Sequence, residues 1–160
     1  QPLVGEVPVL IGTDGDNKMS KSLDNFIAFA HSPEETEQRI LNMVTDRKRA
    51  YRKDPGHPDE CFAFKYWSIF SPSDTPLVRQ ECESAARGCK ECKAQFAKKL
   101  NEHLAEIRER RQQYASQPDL VWDILATGIR RARTVAAETL TEVREAMKIA
   151  FPKLPIRGGK

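Results

Sequence analysis

Residues 89–114 open Cys89-Lys90-Glu91-Cys92-Lys93-Ala94-Gln95-Phe96 and close Gln112-Gln113-Tyr114. This stretch decides the fold class. Cys89, Cys92, Phe96, Leu100, Leu104, Ile107 and Tyr114 recur mostly at three- and four-residue steps, with charged residues between them. That period places them on one face of a long amphipathic helix. Gln117-Pro118 breaks it. A second apolar series runs through Leu120, Val121, Ile124, Leu125, Ala132, Val135, Ala136, Leu140, Val143 and Met147, so another helix is expected over 119–149 with that side buried. Gly128 is a place where it could kink or divide.

Helical signals extend back to residue 32. Ser32-Pro33-Glu34-Glu35 combines an N-cap, a proline at the first helical position and a capping box. With Ile40, Leu41 and Val44 as the buried stripe, that helix is expected to reach about Thr45. Asp59 to Phe70, rich in aromatics, reads as a buried helix, with a strand as the alternative. A shorter helix follows Ser71-Pro72-Ser73-Asp74 and runs to about Arg87, with Gly88 as its C′ residue. Trp67 and Trp122 are expected in the core.

Residues 1–31 read differently. Leu3-Val4 and Val7–Ile11 suit extended chain, interrupted by Pro2 and Pro8. Six turn formers follow, Gly12-Thr13-Asp14-Gly15-Asp16-Asn17, and then Lys18-Met19-Ser20-Lys21-Ser22. The expected organisation is a non-helical segment 1–31, a helical bundle 32–151 and a tail 152–160.

The composition is that of a globular chain: 160 residues, 39% hydrophobic, 31% charged, net charge +3. Apolar runs such as Val9-Leu10-Ile11 are too short for a membrane-spanning helix, and no leader is read at the start. The charge is unevenly spread. Residues 1–85 carry 10 basic and 14 acidic side chains, and residues 86–160 carry 16 and 9. A basic half suits a polyanionic partner or a solvated helical surface.

Two lysines three apart, interleaved with hydroxyls after a glycine-rich turn, can close on a polyphosphate. The ammonium groups offset charge, and hydroxyls and main-chain N–H groups direct hydrogen bonds. Gly12 and Gly15 would permit loop motion. The four cysteines are spaced Cys61-x20-Cys82-x6-Cys89-x2-Cys92. Cys89 and Cys92 lie one helical turn apart, and four converging thiolates suit zinc or an iron–sulfur cluster. The three histidines, His31, His57 and His103, are scattered and suggest no metal or catalytic group. The basic run Arg47, Lys48, Arg49, Arg52 and Lys53 could form a nucleic-acid track, and Arg130, Arg131 and Arg133 could touch RNA or pair with Glu138 or Glu142.

Lys18-Met19-Ser20-Lys21-Ser22 resembles the KMSKS signature of class I aminoacyl-tRNA synthetases. Its context, Gly12-Thr13-Asp14-Gly15 before it and Leu23-Asp24-Asn25 after it, resembles the tryptophanyl branch. So do Asp54-Pro55-Gly56, Cys89-Lys90-Glu91-Cys92-Lys93, Gly128…Ala132-Arg133 and Thr139-Leu140…Val143-Arg144. The resemblance implies ATP with Mg2+ bound at Lys18, Met19, Ser20, Lys21 and Ser22, with Lys21 as the catalytic group on the leaving pyrophosphate. It also implies tryptophan and tRNA-Trp as partners, a cytoplasmic location and a homodimer when full-length. A HIGH-type signature is absent, since Gly56-His57-Pro58 lacks its context. The chain is therefore expected to be the C-terminal portion: a remnant of a Rossmann-like catalytic domain followed by a helical anticodon-binding domain, inactive alone. The cysteine spacing resembles that of a subset of bacterial relatives holding a [4Fe–4S] cluster near the anticodon. This assigns Cys61, Cys82, Cys89 and Cys92 as ligands, and Arg87, Lys90 and Lys93 as candidate tRNA contacts. Alternatives are a zinc-stapled helical bundle, or a non-catalytic RNA-binding or redox-sensing module.

Overall fold

A computed structural model of the chain describes residues 9–149. Five α-helices follow in order: α1 (Pro33–Leu41), α2 (Phe62–Phe70), α3 (Thr75–Glu83), α4 (Cys89–Ala115) and α5 (Pro118–Ala146). A 3-10 turn, Pro58–Glu60, precedes α2. Among the described residues there is no β-sheet, only one isolated antiparallel bridge between Ile11 and Lys18. The mainly helical expectation therefore holds. Leu3-Val4, the start of the extended stretch, and the 152–160 tail lie outside the described residues.

The chain divides into two compact units, Gln1–Arg111 and Gln112–Lys160. In the first, the core is built from Ile40, Met43, Phe64, Tyr66, Trp67, Val78, Phe96, Leu100 and Leu104. Phe96 is its centre. It is fully buried and meets Tyr66 edge-on at 6.0 Å, Trp67 at 5.5 Å and Phe70 at 6.2 Å. Offset and edge-on aromatic pairs of this kind add to the stabilisation from area burial.

The local start signal at Ser32 is realised in full. Ser32 Oγ accepts from the Glu35 N–H at 3.1 Å, and Glu35 Oε2 accepts from the Ser32 N–H at 2.8 Å. The helix stops at Leu41, short of Thr45, and Lys93 of α4 reaches its end. Lys93 Nζ donates to the carbonyls of Leu41 and Met43, the latter at 3.1 Å. Those carbonyls are left without partners at a helix C-terminus, where a cation is favoured.

Three further elements differ from the sequence reading. Residues 59–60 belong to the 3-10 turn, so the aromatic helix begins at Phe62. α3 ends at Glu83, and Ala85, at φ 58°, takes the left-handed position expected of Gly88. Gly88 is instead buried just before α4.

In the second unit, α5 is continuous through Gly128, with open space around that residue. None of its residues is buried. Trp122, expected in the core, is 69% exposed, while Trp67 is 2% exposed, as expected. A stripe is buried only where another element covers it, and the described part of this unit holds only the last turn of α4 besides α5.

Candidate functional site

The phosphate-directed loop is built on two turns of main-chain bonding. Gly12 N–H donates to Asn17 O at 2.7 Å, and Met19 N–H donates to Leu10 O at 2.8 Å. Asp14 organises the turn between them. Its carboxylate accepts from the Asp16 N–H at 3.1 Å, the Asn17 N–H at 3.2 Å, Asn17 Nδ2 at 3.1 Å and Asn25 Nδ2 at 2.8 Å. These bonds, the Asn25 bond foremost, hold the carboxyl down at about 2, so it is ionised throughout the neutral range.

Lys18, Lys21 and Ser22 are exposed, and Ser20 is half-buried. Neither ammonium has a carboxylate partner among the described residues. Ser20 Oγ and Ser22 Oγ lie 2.8 Å apart. Met19 is turned in and packs against the core. The loop thus presents two cations and two hydroxyls outward, anchored from below by an apolar side chain, an arrangement that can bind phosphate oxygens.

The loop is fastened to α1 and to the connector that follows it. Arg47 Nη2 contacts both Asp16 carboxylate oxygens at 2.8 Å, and Arg39 Nη2 donates to Asp24 Oδ1 at 2.8 Å. This removes Arg47 from the basic run. Lys48 pairs with Glu60 at 2.7 Å, and Arg49 Nη1 donates to Arg87 O at 3.0 Å. Arg47, Lys48 and Arg49 are thus engaged by partners within the chain, while Arg52 and Lys53 are exposed. No pairing of Arg130, Arg131 or Arg133 with Glu138 or Glu142 occurs among the described residues; Arg130 instead donates to Thr127 Oγ1 at 2.9 Å.

All four cysteines line one small cavity of about 20 Å3, together with Asp46, Arg49, Arg87 and Gly88. Cys61 stands at the N-cap of α2, Cys82 on the last turn of α3, and Cys89 and Cys92 on the first turn of α4. No disulfide links them. Gly56 makes this approach possible: its N–H donates to Cys82 O at 3.0 Å, and a Cβ there would lie 2.3 Å from Cys82 Sγ. Burial pushes the Cys61 and Cys82 thiols up, and Cys92 up to about 11. Arg49 Nη1 lies 3.9 Å from Cys89 Sγ, and its buried Nε has no hydrogen-bond partner. Among the described residues, no three His, Cys, Asp or Glu side chains converge closely enough to hold a single metal ion.

The three candidate tRNA contacts separate. Arg87 is 8% exposed, and its Nε donates to Glu81 Oε2 at 2.7 Å. Lys93 is committed to the end of α1, and burial lowers its ammonium. Only Lys90 is exposed, on a wider cleft of about 730 Å3 that Arg49, Tyr51, Arg52 and Glu91 also line. Asn25, Asp14 and Tyr51 were not singled out by sequence reasoning. For Asn25 and Asp14 the available signal is their place beside the pentapeptide, which alone does not distinguish a buried amide from a solvated one.

A family model described as tRNA synthetases class I (W and Y) matches residues 2–105. The chain is 40% identical over 153 residues to a tryptophan–tRNA ligase of Thermotoga maritima, covering 94% of this chain and 46% of that one. It is also 40% identical over 144 residues to one from Deinococcus radiodurans, covering 89% and 43%. A solved tryptophanyl-tRNA synthetase from Campylobacter jejuni, complexed with ADP and tryptophan, superimposes with a TM-score of 0.79 at 28% identity. That match covers 92% of this chain and 46% of the other. The chain thus spans less than half the length of the curated relatives it matches. By the family model and its span, this chain belongs to the class I tRNA synthetases of the tryptophan and tyrosine group.

Proposed function

We propose that this chain is the C-terminal portion of a tryptophan–tRNA ligase. Residues 1–31 supply the phosphate loop that ends the catalytic domain, and residues 32–151 the helical anticodon-binding domain. In the reaction, a tryptophan carboxylate oxygen attacks the α-phosphorus of Mg2+-bound ATP. The bond from that phosphorus to the bridging oxygen breaks, and pyrophosphate leaves with the electron pair. The aminoacyl group then passes to a terminal ribose hydroxyl of tRNA-Trp as the mixed anhydride bond breaks and AMP leaves. Lys21 neutralises charge on the departing pyrophosphate. Lys18, Ser20 and Ser22 hold phosphate oxygens, and the main chain at Met19 lies against adenine. The observation that carries this reading is the outward, unpaired presentation of Lys18 and Lys21 on a loop held rigid beneath. The resemblance extends it to a cytoplasmic homodimer. The test is tryptophan-dependent exchange of pyrophosphate into ATP. The 160-residue chain alone should show none, and the protein joining it to the tryptophan-binding segment should show it. Exchange by the chain alone would refute the assignment as a portion.

The four thiols facing one cavity beside an unpartnered Arg49 Nε support a bound metal group at Cys61, Cys82, Cys89 and Cys92. Zinc needs its ligands gathered about one point. A [4Fe–4S] cluster binds each thiolate at a separate corner, and the spacing Cys61-x20-Cys82-x6-Cys89-x2-Cys92 resembles that of cluster-holding relatives. When bound, such a cluster would supply a four-point staple and local negative charge. Arg49, whose Nη1 lies 3.9 Å from Cys89 Sγ, would offset that charge. Lys90, with Tyr51 and Arg52 on the wider cleft, faces outward for anticodon contact, and Arg87 and Lys93 act from beneath by placing α4. Protein purified without oxygen should contain about four iron and four sulfide per chain, with absorption near about 400 nm. Stoichiometric zinc in a colourless protein would overturn the cluster.

A further inference from the structure

The loop's conformation converges on one side chain outside the pentapeptide. Asn25 is 3% exposed. Its Oδ1 accepts from the Ser20 N–H at 2.7 Å. Its Nδ2 donates to Lys18 O at 3.2 Å and to Asp14 Oδ2 at 2.8 Å. Its own carbonyl accepts from the Thr13 N–H at 2.9 Å. Among the described residues, no other side chain bonds the main chain of residues 18–22. The amide orientation follows from its partners: the atom facing an N–H must accept, and the atom facing a carboxylate and a carbonyl must donate.

Two neighbours fit Asn25 specifically. A Cβ on Gly12 would lie 2.2 Å from Asn25 Nδ2, so only a glycine admits the amide there. Asp14, held by Asn17 and by two main-chain N–H groups, fixes the amide from the far side. The side chain therefore brackets Met19, pinning the main chain immediately before and after it.

We propose that Asn25 is a positioning residue for phosphate transfer, setting the main chain between Lys18 and Ser20 so that Lys18, Ser20 and Lys21 meet the triphosphate together. Asn25 touches no substrate. It acts through the loop, where the geometry of charge stabilisation decides the rate. This inference rests on the activation reading above.

The test uses the enzyme containing this chain with its tryptophan-binding segment, carrying Asn25→Ala and, separately, the near-isosteric Asn25→Asp. The second keeps an acceptor for the Ser20 N–H but loses both donated bonds, which guards against an effect of cavity formation alone. Each should lower kcat for tryptophan-dependent pyrophosphate exchange by about 10- to 100-fold. KM for tryptophan should stay within error of the wild type, while the melting temperature falls modestly because buried hydrogen bonds are lost and, in Asn25→Asp, a second carboxylate faces Asp14. An unchanged kcat, or a KM for tryptophan that worsens in step with kcat, would overturn the inference. A wild-type enzyme without exchange overturns the activation reading and this inference with it. A wild type that exchanges beside unimpaired variants overturns this inference alone.

Discussion

Tyr66, on the aromatic helix α2, donates its hydroxyl hydrogen to the carbonyl oxygen of Ile11, at the base of the loop that carries Lys18 to Ser22. The two residues are 55 positions apart in sequence, and the bond ties the loop to the same core that Phe96 centres. Burial pushes the Tyr66 hydroxyl up to about 12, so it remains a donor across the neutral range.

Removing that hydroxyl tests the tie. Tyr66→Phe should destabilise the first unit by about 1–3 kcal/mol, since a part-buried carbonyl loses its partner. Denaturant unfolding measures the loss. Amide exchange at residues 10–12 should quicken more than at α4. Equal quickening everywhere would show that the hydroxyl serves global packing and not the loop.

Truncating a buried and an exposed aromatic should have sharply different effects. Phe96→Ala should cost about 3–5 kcal/mol, because it empties the centre of the aromatic cluster. Trp122→Ala, in the same chain, should change stability by less than about 0.5 kcal/mol, as expected for an exposed site. Chemical denaturation of both variants settles the contrast.

Asp14 makes the loop sensitive to acid. Its carboxyl sits near 2 in the folded chain, below the ordinary value of 3.8. A depressed carboxylate stabilises above its unfolded value, and the contribution is lost as pH falls through the folded value. Order in residues 12–25 should therefore decline between about pH 4 and pH 2, read from amide chemical shifts of Asp16, Asn17 and Ser20. Asp14→Ala should abolish that transition and loosen the loop at neutral pH.

The Arg47–Asp16 pair tests how the loop is moored at the surface. Both side chains are more than half exposed. Arg47→Ala should therefore cost less than about 1 kcal/mol, and the difference should shrink in high salt. A larger loss that salt does not reduce would mean that packing of the Arg47 stem on Phe62 dominates, since its guanidinium lies 5.9 Å from that ring centre.

On the proposal that Cys61, Cys82, Cys89 and Cys92 hold a metal group, serine at Cys92 should release it without collapsing the chain. Cys92 lies in the cavity lining but outside the fully buried core. Cys92→Ser should lower bound iron to below one atom per chain while the far-ultraviolet helical signal persists. Retention of full iron would exclude Cys92 as a ligand.

Local physics made much of this legible in the sequence alone. The Ser32 capping box, the three- and four-residue steps through Phe96, Leu100 and Leu104, and the Pro118 break each act within one helical turn, so they can be read without knowing the fold. The Lys18–Ser22 pentapeptide and the cysteine set stand out in the sequence for a similar reason: each is a short pattern with its own chemistry. What neighbours do was decided only in three dimensions. Lys93 satisfies the end of α1 from 52 residues away, and Arg87 is buried against Glu81, although both read as surface charges. The stripe on α5 has the same period as that on α4, yet it lies exposed, because periodicity states that a face is apolar and not whether anything covers it. Asn25 is the clearest case. In the sequence it is one polar residue after a loop; the buried amide that holds Lys18 and Ser20 in place exists only once Gly12 and Asp14 have closed around it.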